Sequence, residues 1–269
     1  MSSFKAAAIQ LNSQPDAEHS LKEAYKWVSK AADKGASLIC LPENFAFLGN
    51  EREKLEQSDE ISRLVEHQLP KWAKELGVFI LGGGYPVPAG NGKVFNRSSL
   101  IDPNGEFLAS YDKIHLFDVD ISDDETWRES ATVQSGSQTA VICHAENLST
   151  IGFSICYDLR FPELYRMQVS KGAELLTVPS AFTRPTGEAH WEALLRARAI
   201  ENSCYLIAPA QTGKHGEKRQ TYGHSLIIDP WGKILADAGT ETGFITANID
   251  LDYLNDVRKK LPSLRHRVL

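Results

Sequence analysis

The chain has 269 residues, 42% of them hydrophobic and 24% charged, and a formal net charge of −6. That much core-forming material predicts a single α/β domain over residues 1–269, since such units often run to about 250 residues. The mildly acidic balance excludes nucleic acid and anionic membrane as main partners, because both call for a basic field.

Phe4 to Leu11 is a short apolar run, Leu21, Ala24, Tyr25, Val28, Ala31 and Ala32 recur at helical spacing, and Ser37 to Leu41 is apolar again. This is strand, helix, strand. A second helical pattern from about 58 to 76, carrying Ile61, Leu64, Val65 and Trp72, leads into a strand at Val78 to Leu81 that a Gly82-Gly83-Gly84 turn ends. Gly90-Asn91-Gly92 lacks phosphate-loop spacing and is also read as a turn. Pro103-Asn104-Gly105 between two apolar runs predicts a hairpin, and the stretch from Asp118 to Gln138, rich in Asp, Ser and Thr, predicts a loop. Strands follow near 149–156, 174–179, 203–209, 223–229 and 243–249, with helices near 161–171 and 188–202. Asp229-Pro230-Trp231-Gly232 repeats the turn at Asp102-Pro103-Asn104-Gly105, so the two halves look alike. Parallel crossovers mixed with hairpins, and helices enough to cover one face of each sheet, predict a four-layer αββα sandwich of two mixed sheets. Residues 257–269 predict a C-terminal arm or helix.

No stretch approaches the roughly 20 apolar residues of a membrane helix, and the start at Met1-Ser2-Ser3-Phe4 lacks a signal-peptide core, so the expected location is cytoplasmic. The four cysteines, Cys40, Cys143, Cys156 and Cys204, are far apart and form no CxxC pair, which argues against disulfides and a zinc site.

Three apolar runs end in a reactive side chain: Leu38-Ile-Cys-Leu-Pro-Glu43, Tyr111-Asp-Lys113-Ile-His-Leu, and Ile151-Gly-Phe-Ser-Ile-Cys156-Tyr-Asp. Strand ends are where sites assemble in open α/β sheets. Each residue alone has a structural explanation: a capping acid, a solvated lysine, a small buried thiol. Together they fit one chemistry. A thiol with a pKa near 8.5 is mostly protonated at neutral pH and needs a base, which the carboxylate supplies. An attacked carbonyl becomes an oxyanion, for which Lys113 and the backbone N–H of Tyr157 are donors. A Cys–His alternative through His115 stays open, because that ring lies on the face of Lys113 if the segment is extended.

With these residues in view, the chain is identified as a member of the nitrilase (carbon–nitrogen hydrolase) superfamily. It resembles the family through Leu41-Pro-Glu43-Asn, Asp112-Lys113-Ile-His-Leu and Cys156-Tyr-Asp-Leu-Arg-Phe-Pro-Glu163, followed by Pro179-Ser-Ala-Phe. The resemblance implies the αββα fold, a Glu43, Lys113 and Cys156 triad, and a further carboxylate at Glu129 in Trp127-Arg-Glu129-Ser. Within the superfamily the deaminated-glutathione amidase branch is nearest, through Pro179-Ser-Ala-Phe-Thr183, Arg196-Ala-Arg-Ala-Ile-Glu-Asn202 and Gly213-Lys-His-Gly-Glu-Lys218. The ω-amidase branch, which releases ammonia, is the alternative. A non-catalytic binding protein on the same fold is the alternative of another class.

Arg160 stands just before a helix that Pro162 starts, so its guanidinium is a candidate to pair with a carboxylate on the 2-oxo acid end of a small amide substrate. Its structural alternative is an ion pair with Glu163. Phe182 and Thr186 are candidate pocket walls. Acyl transfer through a cysteine thioester needs no cofactor and no metal, and the histidines lack metal-ligand spacing. The family resemblance further implies a homodimer or larger homo-oligomer, to which the apolar surroundings of Ile200, Leu206 and Tyr253 are expected to contribute.

Overall fold

The computed structural model describes residues 3–122, 125–216 and 219–268, so Met1-Ser2, Asp123-Asp124, Glu217-Lys218 and Leu269 of the segments above lie outside the described residues. The first half runs β1 (Ser3–Gln10), α1 (Ala17–Asp33), β2 (Leu38–Cys40), α2 (Glu51–Glu56), α3 (Ser58–Leu76), β3 (Phe79–Pro88), β4 (Val94–Ile101) and β5 (Phe107–Asp112). A hairpin of β6 (Asp118–Ser122) and β7 (Glu125–Arg128) leads to the second half. There β8 (Ile142–His144), β9 (Thr150–Phe153), α4 (Pro162–Ser170), β10 (Leu175–Thr177), α5 (Arg184–Asn202) and β11 (Tyr205–Ala208) come first. The hairpin β12 (Thr212–His215) and β13 (Arg219–Tyr222), then β14 (Leu226–Ile228), β15 (Ile234–Asp237), β16 (Gly243–Asp250) and α6 (Leu251–Lys260) complete it.

The likeness of the two halves is a likeness of topology. One sheet is ordered β16-β1-β2-β3-β4-β5, and the other, read from its far edge, β8-β9-β10-β11-β14-β15. Each holds a parallel trio, β1-β2-β3 or β9-β10-β11, with antiparallel strands on both sides.

Alternation along the strands explains the layers, since successive side chains take opposite faces. Ala6, Ala8, Leu38 and Cys40 turn toward the other sheet, into one cluster with Ile151, Phe153, Leu175 and Leu206. Ala7, Ile9 and Ile39 turn outward onto Leu21 and Val28 of α1 and Ile61, Val65 and Leu69 of α3. Two helical stripes and two inner faces thus give the αββα sandwich. Asp16 starts α1 by accepting from the N–H of His19 at 3.0 Å, and Gly77 ends α3 in the left-handed region.

Several boundaries differ from those the sequence predicts. Gly82-Gly83-Gly84 is no turn; it lies inside β3, whose register against β4 shifts between Gly82 and Tyr85. Close approach, not chain reversal, requires glycine there: a Cβ on Gly83 would stand 1.9 Å from the Leu41 carbonyl oxygen and 2.6 Å from Pro179. Gly83→Ala is therefore expected to cost about 2 kcal/mol or more, lowering Tm by at least about 4 °C in a thermal melt. An unchanged Tm would contradict this packing.

The predicted loop from Asp118 to Gln138 holds β6, β7 and a 3-10 turn at Glu129–Ala131. Its strands form a two-stranded ribbon beside the sandwich, in which Val119 and Trp127 are half-buried between exposed polar neighbours, an alternation too short to read against the polar composition of the stretch. α5 starts at Arg184 rather than 188, with Pro185 in its first turn. The predicted arm begins inside α6, and a 3-10 turn at Ser263–His266 follows it. Leu206 is fully buried in β11 and is not a contact residue, whereas Ile200 and Tyr253 are exposed. No helix among the described residues is long and apolar enough to cross a membrane.

Candidate active site

The predicted side chains meet beyond the ends of the strands. Glu43 follows β2, Lys113 directly follows β5, Cys156 follows β9, and Glu129 stands on the 3-10 turn after β7. Cys156 takes φ +50°, uncommon for a residue with a Cβ, and opens a 3-10 turn to Arg160. Such backbone costs about 1–3 kcal/mol and persists only where its surroundings hold it.

The hold on this turn is Asp158, which is fully buried. One carboxylate oxygen accepts from the Ile155 N–H at 2.8 Å and the Tyr111 hydroxyl at 2.7 Å. The other accepts from the His115 N–H at 3.1 Å and lies 2.7 Å from His115 Nδ1. The Cys156 N–H donates to the Pro179 carbonyl at 3.0 Å, tying the turn to the end of β10. His115 also stacks on Phe161 with ring centroids 3.7 Å apart. Its ring is thus a brace for the turn, and the acid whose charge acts on the thiol is Glu43.

Lys113 Nζ donates to Glu43 Oε1 at 3.0 Å and to both Glu129 oxygens at 2.9 Å. Glu43 and Lys113 are each 2% exposed, and Cys156 9%. Asn96 Nδ2 donates to Glu43 Oε1 at 2.8 Å and the Ala181 N–H to Oε2 at 2.9 Å, while the Phe117 N–H donates to Glu129 Oε2 at 2.7 Å. Burial pushes Glu43 up, yet the Lys113 ammonium outweighs it and holds the carboxyl at about 2. Burial also pushes the Cys156 thiol well up, and the Glu43 charge adds to that. For Lys113 burial acts downward, but Glu129 and Glu43 raise it well above its ordinary value. The resting site is a neutral thiol beside two carboxylates and an ammonium.

These groups line a cavity of about 570 Å³, open mouth included. Tyr157, Phe182 and Thr186 line it as predicted; Arg160 does not. Its guanidinium lies 5.8 Å over the Tyr157 ring and 5.4 Å over the Phe182 ring, with Nη2 3.4 Å from His190 Nδ1. No ion pair with Glu163 is present among the described residues. The wall also holds Glu51, Lys54, Trp127 and Arg219, which the sequence analysis missed. Glu51 and Lys54 belong to the unpredicted helix α2, and Arg219 is far from every signature, so no spacing pointed to them. Among the described residues no group of three or more His, Cys, Asp or Glu is placed to hold a metal ion.

Comparisons with known proteins agree with this geometry. The family model described as carbon-nitrogen hydrolase matches residues 5–259. A Synechocystis protein named deaminated glutathione amidase is 52% identical, over 100% of this chain and 99% of its own. The crystal structure of the Caenorhabditis elegans NitFhit protein superposes with a TM-score of 0.94 at 36% identity, covering 100% of this chain and 66% of the longer worm protein. A variant of the amidase from Nesterenkonia sp. AN1 superposes at 0.82 with 28% identity, covering 96% of this chain and 95% of its own, and shows covalent addition of the acetamide moiety of fluoroacetamide at its active site cysteine. The match along nearly the whole chain, on a fold whose strand ends converge on one buried thiol, establishes that the chain belongs to the carbon–nitrogen hydrolase family.

Proposed function

We propose that the chain is an amidase that hydrolyses deaminated glutathione to 2-oxoglutarate and cysteinylglycine, with Glu43, Lys113, Cys156 and Glu129 as its catalytic groups. The observation that carries the chemistry is the buried network in which Lys113 Nζ bridges Glu43 and Glu129 at 2.9–3.0 Å beside Cys156. The substrate rests on the full-length similarity to proteins named for it.

In this mechanism Glu43 takes the thiol proton as Cys156 Sγ attacks the amide carbon. Lys113 and the Tyr157 N–H hold the oxyanion, a donor worth about 3 kcal/mol each. Collapse breaks the carbon–nitrogen bond, Glu43 passes its proton to the departing amine, and a thioester remains. Water then adds with Glu43 as base, Glu129 orients it through their shared lysine, and the acid leaves as the thiol is restored. Glu43 suits both steps because it starts ionised.

The reading includes a substrate with a 2-oxo acid end, a reducing cytoplasmic setting in keeping with four free thiols, and a homo-oligomer supported by the exposed Ile200, Trp231 and Tyr253. A side-by-side assay of deaminated glutathione and 2-oxoglutaramate, reading 2-oxoglutarate release, tests it. A kcat/KM at least tenfold higher on deaminated glutathione, about 1.4 kcal/mol in transition-state binding, is expected. A preference for 2-oxoglutaramate would make the chain an ω-amidase instead.

A further inference from the structure

The cavity wall holds a second charged cluster besides the one at the thiol. Lys54 Nζ lies 2.6 Å from Glu51 Oε2, whereas Arg219 Nη1 stands 3.7 Å from Glu51 Oε1. Lys54 is thus the close partner of Glu51, and the Arg219 guanidinium is held by weaker contacts. Nη2 donates to the Ala181 carbonyl at 3.4 Å, the group lies 5.1 Å over the Trp127 ring, and Nε is buried with no acceptor among the described residues. A half-buried guanidinium whose donors are not filled favours an anion that accepts from its fork.

The two clusters carry opposite net charge. Glu43 and Glu129 against Lys113 leave one negative charge beside the thiol, and Lys54 and Arg219 against Glu51 leave one positive charge in the second cluster. A ligand that fits both is neutral where it meets Cys156 and anionic a short chain away. Arg219 is also near the reacting end, since it contacts Ala181, whose N–H holds Glu43. That position suits the acyl half of a substrate rather than a distant leaving group.

We propose that Arg219, seated by Glu51 and Trp127, is the specificity-determining residue that binds the carboxylate at the 2-oxo acid end of the acyl chain. This rests on the function proposed above. Arg160, outside the cavity on the Tyr157 and Phe182 rings, is left at the rim.

Two measurements test it on the full chain: kinetics on deaminated glutathione and on its 2-oxo acid methyl ester, and the rate of Cys156 alkylation by iodoacetamide with and without 2-oxoglutarate. In Arg219→Gln the acid-over-ester ratio of kcat/KM is expected to fall at least 30-fold, chiefly through KM, and Arg219→Lys, which keeps charge but not the fork, to fall between. Wild type is expected to be protected from alkylation by 2-oxoglutarate and Arg219→Gln not. Arg160→Gln serves as the comparison and should keep the ratio within a few-fold. Equal protection of wild type and Arg219→Gln, or an unchanged ratio, overturns the assignment while the substrate stands. Failure of wild type both to hydrolyse deaminated glutathione and to be protected overturns the substrate and this inference with it.

Discussion

Cys156→Ala is expected to lower kcat for amide hydrolysis by at least about 10⁴-fold, the scale seen when a covalent nucleophile is removed and binding remains. The fold should tolerate the change, because the turn is held through backbone and Asp158 rather than through the thiol. Alanine also fits the space, so thermal melting is expected within a few degrees of wild type, and substrate should still bind. Retained turnover in this variant would remove the thiol from the mechanism. Loss of turnover together with loss of the folded state would have to be separated by the melt, which is why both are measured.

Lys113→Met is expected to act on rate and stability together. It removes an oxyanion donor, costing about 10²–10³ in kcat, and leaves two buried carboxylates facing each other without a cation, costing about 3–5 kcal/mol. The sign of the pH effect follows from Glu43. With Lys113 present its carboxyl is held at about 2, below the roughly 4.3 of an unfolded chain. That depression contributes stability above the unfolded value, lost as pH falls toward 2. Without the ammonium, burial prevails and Glu43 moves up, so the charged group now destabilises as pH rises. The acid limb of kcat/KM, set by the ionised base, should move to higher pH in the variant. An unshifted acid limb with wild-type stability would show that the bridge at 2.9–3.0 Å carries neither function.

The parts legible from the sequence are those where one physical demand acts along a short segment. Leu38 to Leu41 is apolar throughout because both faces of β2 are covered, and the run ends where the chain leaves the sheet with Glu43. The same holds for Ile151 to Cys156. The hairpins β4-β5 and β14-β15 take matching places in the two sheets, so the turn signals at Asp102 and Asp229 read alike.

What stayed hidden depends on contacts between distant segments. Gly82 to Gly84 reads as a turn from composition, and only the approach of Leu41 and Pro179 to Gly83 explains glycine in a strand. β6 and β7 pair outside the main sheets, and their alternation, Val119 and Trp127 each between polar neighbours, is too short to stand out in a stretch rich in Asp, Ser and Thr. Arg219 acquires its place from a two-stranded ribbon packed near α5 and from Glu51, which lies in the other half of the chain. Arg160, close to Cys156 in sequence, is carried by the 3-10 turn over the rings of Tyr157 and Phe182, which line the cavity while Arg160 itself does not. Nearness to Cys156 in the chain thus does not bring Arg160 into the cavity lining, and distance in the chain hides that Arg219 belongs to it.

A thioester on Cys156 is the step on which the mechanism turns, and acid quenching during turnover of deaminated glutathione followed by intact-mass and peptide analysis would capture it. A 2-oxoglutaryl adduct on the peptide containing Cys156, released by hydroxylamine and absent in Cys156→Ala, is the predicted result. Steady turnover with no adduct at any quench time, and the same rate in Cys156→Ala, would contradict the account.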